Sequence, residues 1–151
     1  MNVKLGEDIA SIERCQSHVR QPLPLYQSKI SAGFQTPVEE SIDELLDLNE
    51  HLIPHPSATF FLRVSGDSMQ QAHIQSGDLL IVDRSVQAKH QSIVIAAVNG
   101  ELTVKRLDTQ SQPPMLKPEH PDYPPIVLNE HTDYFIWGVV THVIHKTQQI
   151  A

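Results

Sequence analysis

The chain has 151 residues, 18 acidic and 11 basic, and a net charge of −7. That length fits one domain with or without a tail, large enough to bury a core without a metal or disulfide staple. The acidic balance excludes bulk electrostatic binding of nucleic acid or anionic membrane, and a single cysteine, Cys15, excludes a disulfide framework or a multi-cysteine zinc site.

Charge is unevenly placed. Residues 1–32 carry four basic and three acidic side chains, residues 33–50 six acidic and none basic, and residues 51–151 seven basic and nine acidic. In the first segment Leu5, Ile9 and Ile12 fall at helical spacing, but the pattern fades before Pro22 and Pro24. A mobile arm with a helical turn or two is the expectation, since so short a helix is marginal alone. Glu7 and Asp8 and the lack of an apolar run there argue against a signal peptide.

Thr36-Pro37-Val38-Glu39 reads as a capping box with proline at the first helical position. Val38, Ile42, Leu45 and Leu46 then form one apolar stripe, and Glu39, Glu40, Asp43, Glu44 and Asp47 take the opposite face. The expectation is a short acidic helix over 37–50, ended before Pro54, with its acidic face solvated or serving as a docking surface for a basic partner.

From residue 58 the texture changes to strands. Thr59–Val64, Leu79–Asp83, Ser92–Val98 and Glu101–Leu107 are rich in β-branched and apolar residues. Asn99-Gly100 between the last two is a strong type I′ hairpin signal. Gln110–Pro114 reads as a loop, short strands follow near Met115–Lys117 and Ile126–Leu128, and Tyr134–His145 reads as a long last strand. The longest apolar run, Tyr134–Val140, falls far short of the ~20 residues of a bilayer span. The fold class expected is mostly β: a compact antiparallel β domain preceded by a flexible N-terminal arm and one short acidic helix.

The stretch that carries chemistry is Val64-Ser65-Gly66-Asp67-Ser68-Met69. A strand ends, a glycine permits a tight turn, and a serine follows at its tip. Such a turn can present a hydroxyl beside unpaired backbone N–H groups, which is what a nucleophile with an oxyanion hole needs. Ser-Gly-x-Ser alone is a weak pattern. The hydroxyl needs a base, histidine or lysine. Nine histidines are present, none at a recognisable triad spacing. A lysine serves only when an apolar setting favours its neutral form. Lys105 lies mid-strand, on one face with Thr103 and Leu107. Such a lysine is usually solvated.

Several words together resemble the LexA/UmuD group of self-cleaving serine peptidases, its UmuD branch above all. They are Ser65-Gly66-Asp67-Ser68-Met69, Gly77-Asp78-Leu79-Leu80-Ile81-Val82-Asp83, Ile93-Val94-Ile95-Ala96-Ala97-Val98 and Thr103-Val104-Lys105-Arg106-Leu107. Asp47-Leu48-Asn49, His55-Pro56-Ser57-Ala58-Thr59 and Phe135-Ile136-Trp137-Gly138-Val139-Val140 add to the match, which spans about residues 30–147 in the family's order.

The resemblance implies a Ser–Lys dyad, with Ser68 as nucleophile, Lys105 as general base and the backbone N–H groups of Asp67 and Ser68 as oxyanion hole. It implies no cofactor and no metal. The substrate it implies is the chain's own N-terminal arm, cut at an Ala-Gly or Cys-Gly bond. Ala32-Gly33 is the one such pair. On this reading residues 1–32 are an arm removed by self-cleavage and residues 33–151 the peptidase-like domain, with helix and linker over 33–53 and the β body over 58–147. Gln35 departs from the proline that relatives often carry after Gly-Phe, which bears on the rate of cleavage.

The resemblance further implies a cytoplasmic bacterial homodimer that responds to RecA–single-stranded DNA filaments in the SOS response. The trimmed dimer would then serve a UmuC-like Y-family polymerase in error-prone translesion synthesis. A LexA-type repressor carries a helix-turn-helix domain ahead of the cut. The 32 residues here, broken by Pro22 and Pro24, do not suit one, so direct sequence-specific DNA binding is not expected. The alternatives are a LexA-type regulator fragment without a DNA-binding domain, and a signal-peptidase-like enzyme acting in trans. The latter would need a membrane anchor and commonly has proline where Gln70 stands.

The remaining candidates read as ordinary structure. His51 and His55 are four apart, but Pro54 and Pro56 break the helix a metal pair would need. His142 and His145 face opposite sides of a strand, and His73, His90, His120 and His131 are expected at the surface. Phe135 and Trp137 share a face that is core or dimer interface, and Cys15 is given no catalytic role.

Overall fold

A computed structural model describes residues 3–16, 19–26, 32–33 and 42–148. In chain order these form β1 (Lys4–Leu5), β2 (Ile9–Arg14), β3 (Leu23–Tyr26), β4 (Ile42–Leu46), α1 (Leu48–Leu52), β5 (Thr59–Val64), β6 (Leu79–Asp83), β7 (Ile93–Val98), β8 (Glu101–Asp108), β9 (Met115–Lys117), β10 (Ile126–Val127) and β11 (Tyr134–Ile144). Single 3-10 turns cover Pro56–Ala58 and Gln70–Ala72. The fold is mostly antiparallel β. Among the described residues no helix is long and apolar enough to cross a membrane.

The chain divides into two compact units, residues 1–16 with 55–151, and residues 17–54. The larger unit is one sheet in the order β10-β9-β8-β7-β11-β6-β5-β2, with β1 added to β8 in parallel. All other ladders in this unit are antiparallel. β7 and β8 meet at the Asn99-Gly100 hairpin, where both residues have positive φ (49° and 84°), as a type I′ turn requires. β11 joins the two halves of the sheet by pairing with both β7 and β6, and its register shifts once against each partner. Gly138 lies at one shift. A Cβ there would sit 2.6 Å from Val82 Cγ1, so the close approach requires glycine.

Alternation buries both faces of the central strands. Ile95 and Ala97 join Leu62, Leu80, Val82 and Val104 in the main core. Val94 and Ala96 face the other way, onto Leu107, Leu116, Leu128 and Val139. Phe135 and Trp137 pack partly buried against the main core. Trp137 meets Phe60 edge-on at 5.0 Å, and Arg84 covers its ring at 4.5 Å.

The strands from residue 59 onward fall within a residue or so of their expected bounds. The N-terminal third does not. Leu5, Ile9 and Ile12, expected on a helical turn of a mobile arm, lie on strands β1 and β2. β2 pairs along β5, and Ile9 is 3% exposed within the main core. A ladder partner some fifty residues away sets this conformation, and local periodicity cannot register it.

The expected helix over 37–50 is also corrected. Its N-terminal part, with the Thr36 cap, Val38, Glu39 and Glu40, lies outside the described residues. Ile42–Leu46 is strand β4, paired antiparallel with β3. The helix that forms is shorter and starts later. Asp47, not Thr36, is its N-cap, accepting from the N–H groups of Asn49 at 2.9 Å and Glu50 at 3.3 Å. The Gln21 N–H donates to the same carboxylate. The stripe read as helical satisfied a strand equally well, and the pairing with Leu23–Tyr26 decided it.

Candidate functional site

The site is built where β5 ends and β8 runs past it. After Val64 the chain turns through Gly66 at φ 88°, a conformation glycine adopts without strain, and reaches Asp67 and Ser68. The turn is pinned from several sides. Gly77 N–H donates to Val64 O at 2.9 Å, Gln70 N–H to Asp67 O at 3.0 Å, and Glu119 N–H to Ser68 O at 2.8 Å. Met69 is 1% exposed and anchors the turn in the core. Ser68, though in a turn, is buried. No acceptor is paired with its backbone N–H among the described residues.

Lys105 reaches the serine from β8. It is buried, against the usual behaviour of a mid-strand lysine. Its Nζ donates to Ser68 Oγ at 3.3 Å, to Thr103 Oγ1 at 2.8 Å and to Val104 O at 3.0 Å. Its fourth neighbour is Asp8 Oδ2 at 3.0 Å, an ion pair in which the Lys105 side chain is 10% exposed and the Asp8 side chain 12%. The structure thus brings Ser68, Lys105 and Thr103 together with Asp8, which no sequence motif flags.

A second group braces the turn from outside. Tyr123 donates its hydroxyl to Asp67 Oδ1 at 2.6 Å, and His120 Nε2 stands 3.4 Å from Oδ2. The Tyr123 hydroxyl is the main cause that holds the Asp67 carboxyl below its usual range, and the same bond pushes the Tyr123 phenol up. His120, expected at the surface, has a side chain only 14% exposed and packs edge-on against Tyr123 at 5.0 Å. No spacing rule flags it, because the loop from Pro118 to Pro125 meets the turn only through the fold. A cleft of about 330 Å³ opens over these groups, lined by Ser68, Lys105, Thr103 and Tyr123 and, from the front of the chain, Gly6 and Asp8.

Ala32 and Gly33, the expected scissile pair, lie in the smaller unit, between β3 and β4, and both are exposed.

Comparison with known proteins decides the family. The Peptidase S24-like family model matches residues 24–141, most of the chain. The chain belongs to that family, and within it to the LexA/UmuD group. Protein ImpA of Salmonella typhimurium is 46% identical over 134 residues, covering 89% of each chain. Protein MucA of Escherichia coli is 46% identical over 121 residues, covering 80% of this chain and 82% of its own. Protein SamA of Salmonella typhimurium is 42% identical over 133 residues, covering 88% and 92%. The S24-like match takes in both β3–β4, with the Ala32-Gly33 pair, and the Ser68–Lys105 patch.

Proposed function

We propose that this S24-like chain cuts itself between Ala32 and Gly33 with Ser68 as nucleophile and Lys105 as general base. One observation carries the reading: a buried lysine amine 3.3 Å from a buried serine hydroxyl. In the neutral form Lys105 takes the Ser68 proton as Oγ attacks the Ala32 carbonyl carbon. The resulting oxyanion is met by the backbone N–H of Ser68, with that of Asp67 beside it. Lys105 then returns its proton to the Gly33 nitrogen as the C–N bond breaks, and water releases the Ala32 acyl group from Ser68. The single methyl of Ala32 and the bare Cα of Gly33 suit entry into a narrow cleft.

The biological setting follows from the likeness to the UmuD branch. The chain is a homodimeric, cytoplasmic SOS-response protein whose cleavage is stimulated by RecA on single-stranded DNA. The trimmed dimer is an accessory subunit of a UmuC-like translesion polymerase. Cleavage should be followed on the purified full chain with and without RecA, ATP and single-stranded DNA. Clear acceleration by the complete mixture, lost when any component is left out, is expected. Equal rates in all mixtures would contradict a damage-triggered switch.

A further inference from the structure

We propose that the chain's own first strand plugs this centre: residues 4–8 occupy a peptide-binding edge of β8, and Asp8 pairs with Lys105 and with the turn that carries Ser68 until the segment leaves. The inference rests on the Ser68–Lys105 reading above and adds to it a regulated occupant.

At Glu101 and Leu102, β8 pairs with β7 on one side and with β1 on the other. The second side is the edge that an extended peptide would need in order to lie beside Lys105. Here Lys4 N–H donates to Gly100 O and Gly6 N–H to Leu102 O, each at 2.8 Å. The approach is so close that a Cβ on Gly6 would lie 2.3 Å from the Leu102 carbonyl oxygen. Past Gly6 the chain turns and inserts Asp8. Its Oδ2 accepts from Thr103 Oγ1 at 2.7 Å, Val104 N–H at 3.0 Å and Lys105 Nζ at 3.0 Å. Its backbone oxygen accepts from Ser65 N–H at 2.7 Å, which ties the segment to the nucleophile's turn.

The consequence is chemical as well as steric. In the ion pair with Asp8, Lys105 Nζ donates and offers no lone pair to the Ser68 proton. The other groups against Nζ are the Ser68 and Thr103 hydroxyls and the Val104 carbonyl, all neutral. Displacing the segment takes the Asp8 carboxylate away from the amine. One movement thus frees the strand edge and arms the lysine.

Two full-length variants test this by different routes. Gly6→Ala disturbs the strand without touching a charge. Asp8→Asn removes the charge and keeps the side chain's shape. Each is compared with the parent at one fixed pH for release of the fragment beginning at Gly33, and for labelling of Ser68 by an organofluorophosphonate. In that reaction Oγ bonds to phosphorus, fluoride leaves and the proton goes to Lys105. Thermal melts confirm that each variant is folded. Both rates should rise about tenfold or more. Folded variants that label and cleave no faster than the parent overturn the plug. Faster labelling without faster release upholds the plug and counts against Ala32-Gly33 as the scissile bond. No labelling of Ser68 in parent or variants overturns the Ser68–Lys105 reading and the plug together.

Discussion

Single residues set the chemistry by the company they keep. Lys105 is buried beside Ser68, and its charged partner there is Asp8. Ser68 and Lys105 were legible because each sits in a word of sequence with its own signature. Asp8 was not, because it meets Lys105 across 97 residues of chain and carries no motif. His120 and Tyr123 were missed for the same reason. Asp108 offers a test of such environments away from the centre. Lys117 and the Ser111 hydroxyl hold its carboxyl well below the usual carboxylate range. A carboxyl whose folded value lies below its unfolded value of about 3.9 stabilises the fold above that pH, and the stabilisation is lost as the pH falls toward the folded value. Thermal midpoints measured between about pH 2 and pH 6 should therefore fall below about pH 4. The fall should be shallower in Asp108→Asn. An identical acid slope in parent and variant would show that Asp108 contributes nothing to it.

At the scale of elements, local and distant forces divided the chain. From Thr59 on, β-branched runs, the Asn99-Gly100 turn and strand alternation all agree, and the expected strands form. In residues 3–16 and 42–46 the local pattern pointed to helix and the ladders overruled it, through β5 for β2 and through β3 for β4. Apolar residues three or four apart fit either period when the segment is short, so nothing inside these segments could decide. The structure makes β2 a working part of the fold, with Ile9 buried beside Leu62 and Val64 in the main core. Truncating it should then cost as much as any core truncation. Ile9→Ala is expected to lower unfolding free energy by about 2–5 kcal/mol in denaturant titration. A loss near zero would mean that the segment is loose in solution, as the sequence alone suggested.

For the whole molecule, the cut at Ala32-Gly33 takes on a different meaning. The sequence drew the arm as residues 1–32 and the body as 33–151. The fold instead gathers residues 1–16 with 55–151, and 17–54 by themselves. Cleavage would sever the covalent link and leave β2 still paired to β5 and β1 still on β8, so release of the arm becomes a separate step from scission. The acidic balance sharpens as well. Residues 33–151 alone carry −8, which argues against bulk electrostatic binding of DNA by a trimmed chain. All of this depends on self-cleavage by the Ser68–Lys105 pair. The most direct measurement is incubation of the purified chain at alkaline pH, where more of the lysine is neutral, with fragment masses read by mass spectrometry. The account predicts a fragment beginning at Gly33 from the parent, none from Ser68→Ala, and a rate lower by about a hundredfold or more from Lys105→Ala. Cleavage of Ser68→Ala at the parent's rate would contradict it.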